Sequence, residues 1–442
     1  MFLLSVGLAV ASRRWPAEMH NRADRRHDIS RQAARDGCGF TTFARWREAH
    51  MNSPLPADRG LSADRTYYTM TFLRAFAALW VVVTHCMIWG GSYWHWLPNP
   101  KLAVDLFMML SGFVMTASTG WAPDAKSPRD FSWGKFWLRR FFRIAPAYYL
   151  SLLCAVLFSH YYLTGYQQFR ELDPQRWASD TNYAPMLIHY TGQNILLHLS
   201  FLFGMMPAYS WSTFLPDWSL SLEMQFYAVF PLLILVMRRF GMMRVAIVLA
   251  VVAWPFIPIL RPLWQEPSLL LFKLETFMAG MLAFTAVSAR PLHALALFVT
   301  GCALIKLDPS SAWRSYVIYG VLFMGARFEH ANRLPSMLMR WLQGSWVRFA
   351  ADTSYSVYLF HGFFISGFGL ILAHGWLTDL SPFARVAAMI ALVVPGVYAS
   401  SYLVMRWVEM PGITFGKWLT RRKTGLSPTR NEHMTTAQVE RP

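Results

Sequence analysis

The stretch 71-TFLRAFAALWVVVTHCMIWG-90 constrains this chain more than any other. It is long enough to cross a bilayer, which takes ~20 apolar residues as helix. Yet it carries Arg74 in its first turns and His85 near its far end. Similar apolar runs recur along the chain, and charged breaks delimit ten of them: 70–90, 102–119, 144–164, 219–237, 243–260, 269–288, 291–306, 312–327, 354–374 and 383–408. Composition agrees, with 55% hydrophobic and only 15% charged residues, where a soluble domain carries roughly a quarter charged. No strand-like alternation suggests a barrel. The expected fold is therefore an all-α integral membrane protein, a bundle of about ten transmembrane helices. The run 194-NILLHLSFLFGMM-206 is too short to span and reads as interfacial or re-entrant.

Residues 1–66 lack a sustained apolar pattern and read as an N-terminal extension without a stable fold, of which residues 1–50 are alternatively reading frame ahead of a true start at Met51. Residues 67–412 hold the membrane domain, and 413–442 read as a cytoplasmic tail. The net charge of +17 does not imply a nucleic-acid partner, because the basic residues lie between apolar runs and in the tails. Loops inside under a cytoplasmic N-terminus carry twice as many Lys and Arg as those outside. That bias places both termini in the cytoplasm of a multi-pass protein of the plasma (inner) membrane. The four cysteines show no paired spacing, so neither a disulfide framework nor a metal site is expected.

Ionisable residues inside a bilayer face the protein interior or a water-filled cavity, because lipid penalises them by several kcal/mol. Arg74 and His85 are eleven residues apart, three helical turns, so they share one side of the helix about 16 Å apart. Histidine takes and returns a proton near neutral pH, though a buried histidine can equally be a hydrogen-bonding post. In 104-VDLFMMLSGFVM-115, Asp105 needs a partner, and His85 or an arginine is the natural candidate; Ser111 and Gly112 suit a small-residue helix contact. In 137-WLRRFFRIAPAYYL-150, Arg140 and Arg143 share a helix face and suit phosphate groups, or serve as topology anchors. In 217-DWSLSLEMQFYAVFP-231, Trp218 opens a run in which Ser219 and Glu223 share a face. His361 follows in 354-SYSVYLFHG-362, and 408-VEMPG-412 ends the tenth run.

Together LRAFAALWVVVTH, VDLFMMLSGF, RRFFRIAP, WSLSLEMQFY and SYSVYLFH, in that order, resemble the acyltransferase 3 family of integral membrane acyltransferases. The family's arginine-ten-residues-histidine signature falls on Arg74 and His85, and its arginine-two-residues-arginine signature on Arg140 and Arg143. Gly362 departs from the family, where a proline commonly follows close to the second histidine. The resemblance implies transfer of an acyl group, commonly acetyl, from a cytoplasmic acyl-CoA to a hydroxyl of an extracytoplasmic carbohydrate or lipid-linked glycan. CoA is then the donor substrate, with no permanently bound cofactor. Arg140, Arg143 and Arg74 would face its phosphates, and His85 would act as base or as acyl carrier. Asp105 or Glu223 would orient the imidazole, with Trp218, Ser219 and His361 supporting the acceptor side. The main alternative is a polytopic transporter or flippase, which suits the charges and helix-breaking prolines but would be expected to show repeated halves. A non-catalytic scaffold has no need for buried titratable groups.

Overall fold

Backbone amides in hydrocarbon have no water to bond, so a spanning segment closes its hydrogen bonds within itself. All ten apolar runs are accordingly helical. The computed structural model describes residues 67–92, 99–119, 132–177, 190–307, 313–375 and 377–421, within the unit that runs from Arg65 to Pro442. The readings of residues 1–66 and of the last twenty or so residues lie outside the described ones.

Thirteen helices of eight or more residues run among the described residues: α1 Tyr68–Gly90, α2 Pro100–Ser118, α3 Trp133–Leu157, α4 Ser159–Leu172, α5 Gly192–Leu199, α6 Trp218–Phe240, α7 Met242–Ala253, α8 Leu274–Ala286, α9 Pro291–Lys306, α10 Trp313–His330, α11 Ser345–Ala373, α12 Pro382–Val404 and α13 Met410–Arg421. There are no strands among the described residues. Seven helical stretches are long and apolar enough to cross a membrane. The other three expected runs are α8 and α9, which are short, and α10, whose Arg314, Arg327 and Glu329 lower its hydropathy. The run at 194–206 forms only part of the eight-residue α5 and one short 3-10 turn, Phe203–Met205.

The third expected run, 144–164, differs most. Its helix begins at Trp133, since after Gly134 the stretch to Arg143 is lysine, arginine, leucine and aromatics with no proline, and it breaks at Phe158. Arg139, Arg140 and Arg143 therefore ride on the helix. The last apolar run is longer than expected: Pro382–Thr420 is 39 residues, about 58 Å of helix, against a hydrocarbon core of about 30 Å.

Apolar helices gain little from burying against one another in lipid, so close approach through small residues decides which of them pack. A side chain on Gly112 would collide with the Phe277 carbonyl of α8, and one on Gly280 with the Met109 carbonyl of α2. Gly165 of α4 and Gly369 of α11 meet in the same way. At 29 residues, α11 is the hub on which α1, α4 and α12 pack. The start of α1 is fixed from outside its own sequence: the Glu329 carboxylate accepts from the backbone N–H of Tyr68 at 2.6 Å and of Thr69 at 2.9 Å. A negative group satisfying the first amides of a helix also meets the positive end of its dipole.

Gly280→Leu should cost about 3 kcal/mol or more, since the backbone opposite cannot retreat. Gly134, with open space around it, supplies the control: Gly134→Leu should leave the thermal midpoint in detergent near that of the wild type while Gly280→Leu lowers it.

Candidate active site

His85 and His361 meet in the core of the bundle. Their ring centroids lie 4.9 Å apart, where α1 packs on α11. Each imidazole is held by its own helix, Nδ1 of His85 lying 2.8 Å from the Val81 carbonyl and Nδ1 of His361 2.7 Å from that of Tyr358. A carbonyl only accepts, so both Nδ1 atoms carry a proton, and in the neutral imidazole Nε2 then keeps a lone pair. His361 is only 2% exposed, and His85 is half-buried. The carboxylate expected to orient His85 is thus replaced by a backbone carbonyl one turn back, which a helical side chain reaches without a distant partner.

Other residues singled out from the sequence form contacts of their own on α2, α3 and α6. Tyr358 is one turn before His361; its hydroxyl donates to the Pro216 carbonyl at 2.6 Å and lies 2.8 Å from Ser219 Oγ. Trp218 is buried beside it in sequence. Glu223 accepts from Ser111 Oγ at 3.1 Å and from the hydroxyl of Tyr227. Ser111 therefore ties α2 to α6, while Gly112 next to it makes the α2–α8 contact. The Arg140 guanidinium lies over the Phe136 and Tyr227 rings, at 5.8 and 5.9 Å. A line of polar groups thus runs from Arg140 through Tyr227 and Glu223 to Ser111.

Asp105 is bound elsewhere. Its Oδ1 lies 2.9 Å from Lys273 Nζ, immediately before α8, with both residues buried. Neither His85 nor an arginine is the partner in this ion pair; the lysine, which sequence reading passed over, is 168 positions away (273 − 105). A second buried cluster closes the mouth of α6. Asp217 accepts from Tyr148 at 3.1 Å and from Thr213 at 3.0 Å, with His198 Nε2 at 3.6 Å. Burial pushes the Asp217 carboxyl above its ordinary range, against the pull of His198 and of those two hydrogen bonds. The aromatics of 207–218 pack inward: Phe214 stacks on Tyr162 at 3.7 Å and Trp218 is buried. Most of the companion loop 91–100 is outside the described residues. Gly362 lets the Tyr162 hydroxyl approach the backbone next to His361, where any side chain would collide with it.

Helices that cross a bilayer and bring paired imidazoles together inside the bundle define a multi-pass membrane protein with a titratable interior. This chain belongs to the acyltransferase 3 family: the family's acyltransferase-domain model matches residues 67–402. A stretch of 185 residues is 30% identical to a protein of Komagataeibacter xylinus named as a putative membrane-bound transacylase, BcsY, covering 42% of this chain and 40% of that one. Another, of 228 residues, is 24% identical to the peptidoglycan O-acetyltransferase OatA of Listeria monocytogenes serovar 1/2a, covering 49% of this chain and 32% of the relative. The matches thus span less than half of either relative's length. No solved structure matches the chain.

The Asp105–Lys273 pair can be examined without substrate. Removing one partner of a buried pair leaves a charge without its counter-ion and costs about 3–5 kcal/mol, whereas replacing both by apolar or neutral groups costs far less. Asp105→Asn should therefore lower the thermal midpoint more than Asp105→Asn combined with Lys273→Met. An additive loss in the double variant would show that the two residues act separately.

Proposed function

We propose that this protein is a membrane-embedded O-acyltransferase that moves an acyl group, commonly acetyl, from cytoplasmic acyl-CoA to a hydroxyl of an extracytoplasmic carbohydrate. The observation that carries this reading is His85: Nδ1 is tied to Val81, Nε2 keeps its lone pair, and His361 is in contact. The relatives support the class of acceptor, one being named for O-acetylation of peptidoglycan. The excess of basic residues in alternate loops supports a plasma (inner) membrane location with both termini cytoplasmic.

In this reading Arg140 and Arg143, with Arg74, take the donor's phosphates, since guanidinium forks match phosphate oxygens. Stacking on Phe136 and Tyr227 holds Arg140 ready. The thioester end of the donor reaches inward to the imidazoles. His85 Nε2 accepts the proton of the acceptor hydroxyl as its oxygen attacks the thioester carbonyl. The carbon–sulfur bond breaks, and the CoA thiolate takes the proton back from the imidazolium. His361, held rigidly by the Tyr358 carbonyl, fixes the position of His85. Ser219, Trp218 and Tyr358 line the approach of the acceptor, and Glu223 holds the floor through Ser111 and Tyr227. Asp105 supports the bundle through Lys273 and not the imidazole. A transporter would move its cargo unmodified, and neither family membership nor a histidine with a poised Nε2 favours that alternative.

Expressed at equal levels, wild type and His85→Ala should differ in the acyl content of surface glycans by mass spectrometry. Loss of a general base should cut transfer by about 10²–10⁴-fold. Equal acyl mass from both proteins would remove His85 from the chemistry.

A further inference from the structure

Glu409 is a buried carboxylate that this mechanism leaves unused. It is 2% exposed, and it ends a π-helical turn, Met405–Glu409, set between α12 and α13. A π-turn holds one residue more than the α-helix around it and rotates the helix beyond it by about 100°. Such insertions are costly and cluster where a side chain has to be re-aimed. Here the rotation turns α13 onto α3. A side chain on Gly412 would collide with the Phe142 carbonyl and Pro146, and one on Gly416 with the Phe142 side chain. Pro146 has no N–H to give the Phe142 carbonyl, so the helix surface at that point is open to a close neighbour.

This contact sets the π-turn against α3, on which Arg143 follows Phe142. Arg143 and Arg74 both act on the charge of Glu409, although they lie on α3 and α1. The carboxylate is further held by Ser356 of α11, whose Oγ donates to Oε2 at 3.3 Å. The neighbouring Tyr355 donates to the Ile144 carbonyl at 2.8 Å. One acidic group, supplied by the π-turn, is thus held by the Ser356 hydrogen bond from α11 and lies within the electrostatic influence of Arg143 on α3 and Arg74 on α1.

We infer that Glu409 is a positioning residue that aligns Arg143 and Arg74 for the phosphates of the acyl donor. The inference rests on the acyl-CoA reading of the site. Two guanidinium groups repel each other, and long side chains hold many rotamers; a buried carboxylate beside both removes the repulsion and restricts the rotamers. The phosphates then meet guanidinium groups already aimed at them, so less binding energy is lost in ordering.

The test uses the full chain, purified in lipid nanodiscs, with CoA as the probe. Glu409→Gln keeps the shape and the Ser356 hydrogen bond and removes only the charge. It should weaken CoA binding on the order of tenfold, raising the KM for acetyl-CoA and leaving the acceptor's KM unchanged. A purely structural role would move both. Glu409→Asp, which keeps the charge and shortens the reach, should lie between wild type and Glu409→Gln. CoA affinity equal to wild type in a folded Glu409→Gln overturns the assignment. Should that variant fail to fold, unchanged affinity in Glu409→Asp does the same. A wild type that takes up no CoA overturns the donor reading itself, and the role of Glu409 with it.

Discussion

The contact between α1 and α11 is the interaction on which the rest of this structure depends. Each helix carries one imidazole on its inner side, and neither imidazole belongs against lipid. Packing the two helices together satisfies both at once and leaves two ring nitrogens with lone pairs on rings 4.9 Å apart by centroid. That packing is itself supported from both sides. Glu329 pins the start of α1, and the Gly165–Gly369 crossing seats α4 on α11. Catalytic geometry in such a protein is a by-product of how apolar helices manage their few polar groups.

Position along the helices separates the polar groups by task. His361 lies about 24 Å along α11, which is about 43 Å long, so the imidazoles sit near its middle. Toward one end are Arg74, Arg140, Arg143 and Glu409, basic on balance. Toward the other are Asp105 with Lys273 and Asp217 with His198, each acidic group matched to a nitrogen partner. Excess positive charge at one end and near-neutral pairs at the other are what the proposed transfer, with an anionic donor at the first and an uncharged hydroxyl at the second, would require.

Legibility in the sequence extended to whatever local spacing controls. Helix positions followed from apolar runs, and the side shared by Arg74 and His85 followed from three turns of helix. Gly112 was readable as a contact because small residues are the means by which helices approach in lipid. Partners far apart in the chain were not readable. Asp105 needed a cation, but nothing local distinguishes Lys273, at the edge of an apolar run, from a topology anchor. Glu409 looked like the end of a span, and only an acid followed at two residues by Pro411 hinted at an irregular turn. The break of α3 at Phe158 has no sequence punctuation, and the early start of that helix reflects how well arginine tolerates helix when its stem lies along apolar surface.

The π-turn at 405–409 shows how one extra residue can link chemistry to topology. An uninterrupted helix over Pro382–Thr420 would present its later inner face in a direction fixed by 3.6 residues per turn. That direction cannot serve both the α1 and α11 contacts of α12 and the α3 contact of α13. Inserting a residue resolves the conflict, and the acid at the insertion is buried where three helices meet. Close packing forces Glu409 inward, and an inward carboxylate in this environment requires cations beside it. The charges of Arg143 and Arg74 act on Glu409 in that sense, so the groups proposed for the donor's phosphates would also help the bundle to close.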